Sequence, residues 1–360
     1  MSTKRSRGWA ALLVAFLGLL PPPALAHLAV STRSLRVLLT TADLVVVAAP
    51  IGIERVIVDE NGKESQRAVM HVEVLEVLKG PPISGDLLVA QHGHGVAQYE
   101  PGQHALLFLR RISETRELRD LGASGPIRWV SEQEHDDAYI LDAKSGAATI
   151  RAAKAYLAAY HLSPPERSRA LRRVTVTMLV SRDARLAESA LHDLVLAPDE
   201  PLVTRQDVPK LKKVLGDSKT SIGVRVGLLS ELQRRSLVSA ASEWVHLLET
   251  TEGPDRVVVI RACRAHQSPP VTRVLIDWLQ SADPVTASEA ALALGTPGHD
   301  AAVDPLANAL RAGDRRVSMA TIRALGSIST PKAWETLAKA AASNEDESIR
   351  RRAAAELRRK

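Results

Sequence analysis

The 360-residue sequence has a single cysteine, Cys263, and few aromatic residues. One cysteine excludes an intrachain disulfide, so the fold has to be stabilised by packing. The apolar neighbours of Cys263 predict a buried structural thiol rather than a nucleophile. Aromatic residues are only 3% of the chain, which favours helices that pack through small side chains. Hydrophobic residues at 45% and charged residues at 24% exclude a disordered, collagen-like or multi-span membrane protein.

Sequence motifs of several common catalytic sites are also missing. The chain contains no Gly-x-Ser-x-Gly elbow, no His-Glu-x-x-His zinc helix and no Gly-x-x-x-x-Gly-Lys phosphate loop. His135 precedes Asp136 and Asp137, but adjacent acids point to opposite faces of a strand and are more typical of a turn. The sequence therefore predicts a protein that is not an enzyme and that has no cofactor.

The first 26 residues have the pattern of an export signal. Basic residues at positions 4, 5 and 7 precede an apolar run over residues 8–20, and three prolines then lead to Ala24-Leu25-Ala26. A helix over that run would be about 20 Å long, which is short of the roughly 30 Å hydrocarbon core of a bilayer. We therefore expect cleavage after Ala26. The mature protein is predicted to have no membrane span and to be periplasmic, cell-surface or extracellular.

Residues 43–142 have the pattern of short strands. Asn61-Gly62 fits a hairpin turn between two of them. In the segment from Ala68 to Leu78 the apolar face switches at Val74-Leu75, which predicts a bulge or a strong bend. Short strands at this spacing predict a small antiparallel β-barrel or sandwich, with a domain over residues 27–145. The predicted strands are 44–48, 51–58, 68–78, 87–90, 105–109, 127–130 and 138–141.

A change of period near Ala147 marks the start of helical sequence. Ile150, Ala153, Leu157 and Tyr160 recur at helical intervals, and two prolines at 164 and 165 stop that helix. Residues 146–164 are therefore predicted to form a helix that bridges two domains. The pattern stays helical from residue 165 to residue 360.

The helical part contains an internal repeat. Aspartates that suit helix starts are spaced 34, 38, 28, 31 and 32 residues apart. The five-residue runs at 291–295 and 322–326 match, and each ends in a glycine that favours a left-handed helix cap. Helix pairs with one apolar stripe bury it only by stacking, so this period predicts an α-solenoid. The aspartates are Asp183, Asp217, Asp255, Asp283, Asp314 and Asp346.

The run from Asp314 to Gly326, Asp-Arg-Arg-Val-Ser-Met-Ala-Thr-Ile-Arg-Ala-Leu-Gly, resembles the short bacterial form of the HEAT-repeat family. Asp346 to Leu357 follows the same pattern in part, and the units that start at Asp183, Asp217 and Asp255 are degenerate. The resemblance implies an all-α solenoid that binds other molecules, and it implies no reaction. Some HEAT-like enzymes bind iron through His-Glu pairs, but this chain has no His-Glu dipeptide.

The first half is similar to the netrin-like or tissue-inhibitor OB barrels. The similar segments are 42–47, 74–80 and 99–109. Animal inhibitors of this family place an N-terminal cysteine amine on a metalloprotease zinc, and this half has no cysteine. The resemblance therefore implies the barrel fold and not the inhibitory mechanism.

Histidines concentrate in the predicted β domain over residues 27–145, which holds six of the 11 in the chain. In an extended segment, His92 and His94 would place both imidazoles on one face, and imidazole nitrogens bind zinc or copper. His104 and the predicted new N-terminus, His27, are further candidate ligands. The alternative interpretation is a polar glycine-rich loop between strands. The sequence thus leaves open a metal site made of His92, His94, His104 and His27.

Charge differs between the two halves. Residues 27–162 contain 14 basic and 17 acidic residues, and residues 163–360 contain 30 and 24. This charge difference would favour docking of the two halves on each other or binding of an acidic partner, although so small a difference belongs mostly to a solvated surface. Basic groups such as Lys210, Lys212 and Lys213 alternate with acids and lack interleaved aromatics, so nucleic-acid binding is not expected. The tryptophans that fall on the second helix of a repeat unit are predicted to pack in the core; they are Trp244, Trp278 and Trp334.

These observations predict an exported, non-enzymatic interaction or scaffold protein. A HEAT-like solenoid would bind an unidentified protein partner by shape and charge complementarity. The alternative function is that of a metal-binding or protease-inhibitory protein centred on the histidine-containing β domain.

Overall fold

The computed structural model describes residues 33–60, 63–83, 85–91, 99, 102–112, 127–131, 138–311 and 314–359. The chain divides into two compact units, an N-terminal unit over Val30–Val238 and a C-terminal unit over Ser239–Lys360. The domain boundaries predicted from the sequence, after residues 145 and 164, stay predictions.

Five strands of the N-terminal unit close a barrel, and a sixth extends it. The sheet order is β1-β2-β3-β5-β4, and β1 pairs again with β4 to close the circle. All pairs are antiparallel except β3 with β5, which is parallel. The predicted small barrel is confirmed, and it is consistent with the OB-type resemblance. The strands are β1 (Leu44–Glu60), β2 (Lys63–Lys79), β3 (Asp86–Gln91), β4 (His104–Arg111), β5 (Trp129–Ser131) and β6 (Tyr139–Leu141).

Alternating side chains fill the barrel. Leu44, Val46 and Ala48 of β1 point into the same core as Leu107 and Leu109 of β4, and all five are buried. The predicted bulge at Leu75 is confirmed, because Val47 pairs with Glu76 while Ala48 pairs with Val74. A bulge leaves one residue without a partner across the strand pair. Leu75 is accordingly 45% exposed.

A short helix that the sequence reading missed, α1 (Leu35–Thr41), precedes the barrel. Its N-cap is Ser34, whose Oγ accepts a hydrogen bond from the backbone N–H of Val37. At its other end the ammonium of Lys79 donates to the carbonyls of Leu39 and Ala42, at 2.8 and 2.5 Å. A cation beside a helix C-terminus is stabilising, so the end of β2 fixes α1 on the barrel.

The described part of the N-terminal unit contains five further helices. Helix α2 contacts α1, β6 and α3. The next four form two layers, in which α3 contacts α5 and α4 contacts α6. They are α2 (Gly146–Tyr160), α3 (Pro164–Leu179), α4 (Ala184–Leu196), α5 (Val208–Gly216) and α6 (Ile222–Arg234).

The described part of the C-terminal unit contains eight α-helices in the same two-layer arrangement. One layer contains α8, α10, α12 and α14, each in contact with the next, and the other contains α7, α9, α11 and α13. This repeat-like arrangement confirms the predicted solenoid. The helices are α7 (Ala241–Thr250), α8 (Gly253–Cys263), α9 (Pro269–Trp278), α10 (Pro284–Leu294), α11 (Val303–Arg311), α12 (Arg315–Ile328), α13 (Pro331–Ser343) and α14 (Glu347–Leu357).

Four of the six aspartates used to predict helix starts are N-caps. The side chains of Asp183, Asp283, Asp314 and Asp346 accept hydrogen bonds from backbone N–H groups in the first turns of α4, α10, α12 and α14. The prediction of a helix start was wrong for Asp217, whereas Asp255 lies at a helix start without being its N-cap. Asp217 ends α5, with Ser221 capping α6, and Asp255 lies inside the first turn of α8.

The glycines of the matching five-residue runs are not left-handed caps, so that prediction was wrong. Gly295 ends α10 with φ −75°, and Gly326 lies inside α12. These glycines instead permit close packing between neighbouring helices. A Cβ built on Gly295 would lie 2.6 Å from the Cα of Ala324 in α12, and one on Gly326 would lie 3.2 Å from Oε2 of Glu356 in α14.

Candidate functional site

The proposed metal ligands fall mostly outside the residues that the structure describes. His27, His92 and His94 lie outside them, and His104 is an exposed residue at the start of β4. No group of three or more His, Cys, Asp or Glu side chains suited to a metal ion occurs within the described ranges. The metal site of these four histidines therefore stays a prediction.

Asp193 in α4 is the centre of a buried polar cluster that the sequence did not reveal. Its Oδ1 accepts a hydrogen bond from Oγ of Ser34 at 2.5 Å, and its Oδ2 accepts one from the hydroxyl of Tyr156 at 2.7 Å. Burial raises the pKa of Asp193 to about 6, against the opposing effect of these two donors. Ser189, one turn before Asp193, accepts a hydrogen bond from the backbone N–H of Leu35.

This cluster holds α1 against α2 and α4. Asp193 is 2% exposed, and both of its carboxylate oxygens have donors. An adjacent cavity of about 260 Å³ is lined by Ser34, Ser189 and His192, among others, but not by Asp193. Since the titratable carboxylate does not reach this cavity, the arrangement indicates a structural connection rather than an acid or base that a substrate could contact.

A more open cavity lies between α4, α5 and α6, and we call it the basic cleft. It has a volume of about 540 Å³. Four cationic side chains line it, and Asp217 is the acidic residue among its lining residues. None of the four cationic groups makes a hydrogen bond or ion pair with another side chain in the part of the chain that the structure describes. The four cations are Arg182, Lys210, Lys213 and Lys219.

The rest of the basic cleft is apolar or belongs to helix starts. Val180, Val214 and Val224 line it together with two alanines of α4. Val180 is 42% exposed, which is unusual for a large aliphatic side chain in this protein. Ala184 and Ser221 place the N-termini of α4 and α6 at the cleft, and helix N-termini carry partial positive charge.

Ion pairs between neighbouring helices are found elsewhere in the helical region. Arg261 of α8 bonds Glu289 of α10 at 2.5 Å, and Lys332 of α13 bonds Asp304 of α11 at 2.7 Å. These pairs connect helices of the same layer. The cations of the basic cleft differ from them because they have no such partner among the described residues.

The C-terminal unit has a polar cavity of about 640 Å³ beside α12, α13 and α14. Arg323, Trp334 and Arg359 line it together with Glu356. The Glu356 carboxylate is buried and accepts hydrogen bonds from Arg352 at 2.7 Å and from Arg359 at 3.3 Å. Because two arginines already neutralise the Glu356 carboxylate, the charged side chains around this cavity mainly form an ion-pair network within the last helices.

Cys263 and the three tryptophans have mostly structural surroundings. Cys263 is fully buried, as predicted, and burial raises the pKa of its thiol well above the ordinary value. Trp244 is also fully buried and stacks on His266, with ring centroids 4.7 Å apart. Trp278 and Trp334 are only half-buried, and the guanidinium of Arg256 lies 4.1 Å from the Trp278 ring.

Within the described ranges, every helix is too short or too polar to cross a membrane.

The sequence profile of the HEAT-repeat family matches residues 272–358. Those residues form HEAT repeats. The matched segment extends from α9 to α14, and it includes the two runs that match each other in the sequence. Helices α3 to α8 precede the match and continue the two-layer pattern within their own units. A search of curated protein sequences found no match.

Several solved structures are similar in fold. The YibA protein of Escherichia coli is 15% identical over 59% of this chain and 77% of its own, with a TM-score of 0.36. Human deoxyhypusine hydroxylase is 18% identical over 61% of this chain and 92% of its own, with a TM-score of 0.30. A computationally designed armadillo repeat protein for modular peptide recognition is 15% identical over 57% and 98%, with a TM-score of 0.32.

Proposed function

We propose that this chain is an exported, non-enzymatic protein that binds a partner protein through its HEAT-like helices. The observation that carries the proposal is the stacking of helix pairs in two layers, with HEAT repeats over residues 272–358. Helix pairs that share their core with neighbours expose a long surface, and repeat arrays use such surfaces for binding. The partner would be held by shape and charge complementarity rather than by any change of covalent bonds.

Two features support a role without catalysis. Cys263 is buried and its thiol has a raised pKa, so the thiolate that a nucleophile requires is disfavoured. Asp193 has a pKa of about 6, which is useful for acid or base catalysis, but Ser34 and Tyr156 occupy both of its oxygens. Its hydrogen bonds stabilise the fold of the N-terminal unit.

The proposal of export depends on the first 26 residues, which combine basic residues, an apolar run and a small-x-small cleavage site. N-terminal sequencing of the protein from an exporting bacterial culture should begin at His27. Recovery of a cytosolic protein that begins at Met1 would contradict export.

Capture of a partner by the tagged full chain from the exported fraction tests the binding role. We expect one partner to be retained by the wild type and by a variant with His92→Ala and His94→Ala. Leu325→Asp, which places a charge at a fully buried position of α12, should abolish retention. Loss of the partner in the histidine variant would favour the metal-binding alternative, and calorimetric titration of the mature protein with copper or zinc would then test that site.

A further inference from the structure

We propose that the basic cleft between α4, α5 and α6 binds an acidic segment of the partner protein, with one aliphatic side chain of that segment on the exposed Val180. This inference rests on the proposed function, because it names the chemistry of the segment that the helices recognise. Arg182, Lys210, Lys213 and Lys219 would bind the carboxylates. Val180, which is 42% exposed, would contact the aliphatic side chain, whereas Val214 and Val224 are buried beneath it.

The charges of the cleft select an acidic ligand. Its four cations come from the loop before α4, from α5 and from the loop before α6, so three separate chain segments converge on one cavity. The Asp217 carboxylate accepts a hydrogen bond from the backbone N–H of Lys219 at 3.0 Å. The lining residues thus leave an excess of positive charge, which raises the local concentration of anionic groups.

Helix ends of both polarities meet at the cleft. Helices α4 and α6 begin there, and their N-termini carry partial positive charge. Helices α3 and α5 end there, with Val180 and Asp217 as their C-caps, and their C-termini carry partial negative charge. The helix dipoles therefore oppose one another, and the side-chain cations select the acidic ligand.

The apolar part of the cleft explains why the ligand should be a polypeptide with an aliphatic residue rather than a free inorganic anion. Val180 is 42% exposed, and it lies beside Val214 and Val224 in a cavity of about 540 Å³. That volume lies within the range of about 300–1,000 Å³ in which proteins bind small ligands or short segments. Covering Val180 with an aliphatic side chain would remove apolar surface from water.

The lining disfavours nucleic acid as the ligand. Single-stranded nucleic acids bind to cationic grooves that also offer aromatic rings for base stacking. The described lining of the basic cleft contains no aromatic residue. Its cations can neutralise phosphates, but its valines offer no platform on which bases could stack.

An array of octapeptides tests the proposal with the full-length mature protein. One set combines four Glu or Asp residues with a central Val, Leu, Ile or Met, and matched sets replace the acids by Gln and Asn or the aliphatic residue by Ser. We expect the acidic-aliphatic set to bind most tightly, the serine-substituted acidic set to bind more weakly and the neutral set not to bind, with affinities that fall as salt is added. Equal binding to the neutral set, or no binding to any set, would overturn the proposal.

Variants of α5 localise the binding to the cleft. Lys210→Glu with Lys213→Glu should weaken binding of the best peptide by about tenfold or more, measured by fluorescence polarisation. Lys212→Glu is the matched control, since Lys212 lies between them on α5 but does not line the cleft. Equal losses in the two variants, each with unchanged circular dichroism, would overturn the proposal.

A second pair of variants tests the apolar contact. Val180→Ser should weaken binding of acidic-aliphatic peptides and leave the weaker binding of their serine-substituted counterparts unchanged. Val258→Ser is the control, because Val258 is 38% exposed on α8 in the other unit and is not part of the cleft. Tighter binding of an oligothymidylate than of the best peptide would assign the cleft to nucleic acid and overturn the proposal.

Failure of this inference can be distinguished from failure of the proposed function. If the captured partner is retained by the variant with Lys210→Glu and Lys213→Glu, the cleft is not the binding site and the binding function stands. If the wild type retains no partner, the proposed function fails, whereas the peptide array still tests the cleft directly.

Discussion

Replacing Gly295 with alanine tests whether the helices of the C-terminal unit pack as closely as the coordinates place them. The added Cβ would lie 2.6 Å from the Cα and 2.9 Å from the Cβ of Ala324. Optimal contacts between carbon atoms are about 3.5–4.0 Å, so α10 and α12 would have to separate by about 1 Å. The nearest atom belongs to the backbone and cannot rotate away.

Overpacking of this kind costs about 1–3 kcal/mol. We expect Gly295→Ala to be in the upper part of that range. With a slope of about 2 kcal/mol per molar urea, a loss of about 2 kcal/mol would lower the unfolding midpoint by about 1 M. The measurement is urea unfolding of the full chain, followed by circular dichroism at the helical band.

Gly216→Ala is the matched control. Gly216 is the last residue of α5, and a Cβ added there would meet no heavy atom within 4 Å. Alanine should therefore stabilise the chain slightly, by about 0.4–1 kcal/mol, because it restricts the unfolded state. If Gly295→Ala is as stable as the wild type, or changes stability in the same direction as Gly216→Ala, the close packing assigned to α10 and α12 is wrong.

Three other substitutions test Asp193, Gly80 and Leu325. Burial raises the pKa of Asp193 from 3.8 to about 6, so its contribution to stability is present below the ordinary pKa and is lost as the pH rises through 6. Asp193→Asn should remove this loss of stability, which is about 3 kcal/mol. The measurement is the urea midpoint at pH 4.5 and at pH 7.5, and an equal change between the two pH values in the wild type and the variant would refute the prediction. Gly80→Ala should lower the free energy of unfolding by about 2 kcal/mol or more, measured by thermal melting, because φ is +104° and the added Cβ would lie 2.8 Å from the carbonyl oxygen of Asp43. Gly52→Ala, where the added Cβ would meet no atom within 4 Å, should leave the stability unchanged. Leu325→Asp should unfold at least the last helices, and unchanged helicity would contradict the stacking.

Local patterns in the sequence predicted much of the fold because they have local physical causes. Asp283, Asp314 and Asp346 accept backbone hydrogen bonds within their own first turns, so their spacing reveals the helix starts without knowledge of the tertiary structure. The bulge at Leu75 could be predicted in the same way, since a change of apolar face is visible along a single strand.

The interpretation of Gly295 and Gly326 failed because their role is not local. A glycine near a helix end suggests a left-handed cap, but both glycines serve contacts with the next helix in the layer, 29 or more residues later in the chain. Only the packing distances distinguish these two roles. A repeated glycine at the same place in successive units was the available signal of interhelical contact.

The candidate sites could not be predicted because they bring distant segments together. Asp193 meets Ser34 across 159 residues of sequence, and neither residue has a distinctive neighbour. Helix α1 had a usable signal, a serine followed by leucines at 35, 38 and 39, which is typical of a short capped helix. The basic cleft combines α5 lysines visible in the sequence with Arg182 and Val180, which only the fold places beside them.

Hydrogen–deuterium exchange of the full-length protein with and without its captured partner tests the central claim, that the helices bind a partner polypeptide. We predict slower exchange on binding at residues 180–224, around the basic cleft, and unchanged exchange in the barrel strands β1 to β4. Protection confined to the barrel, with no change in the helices, would contradict the claim.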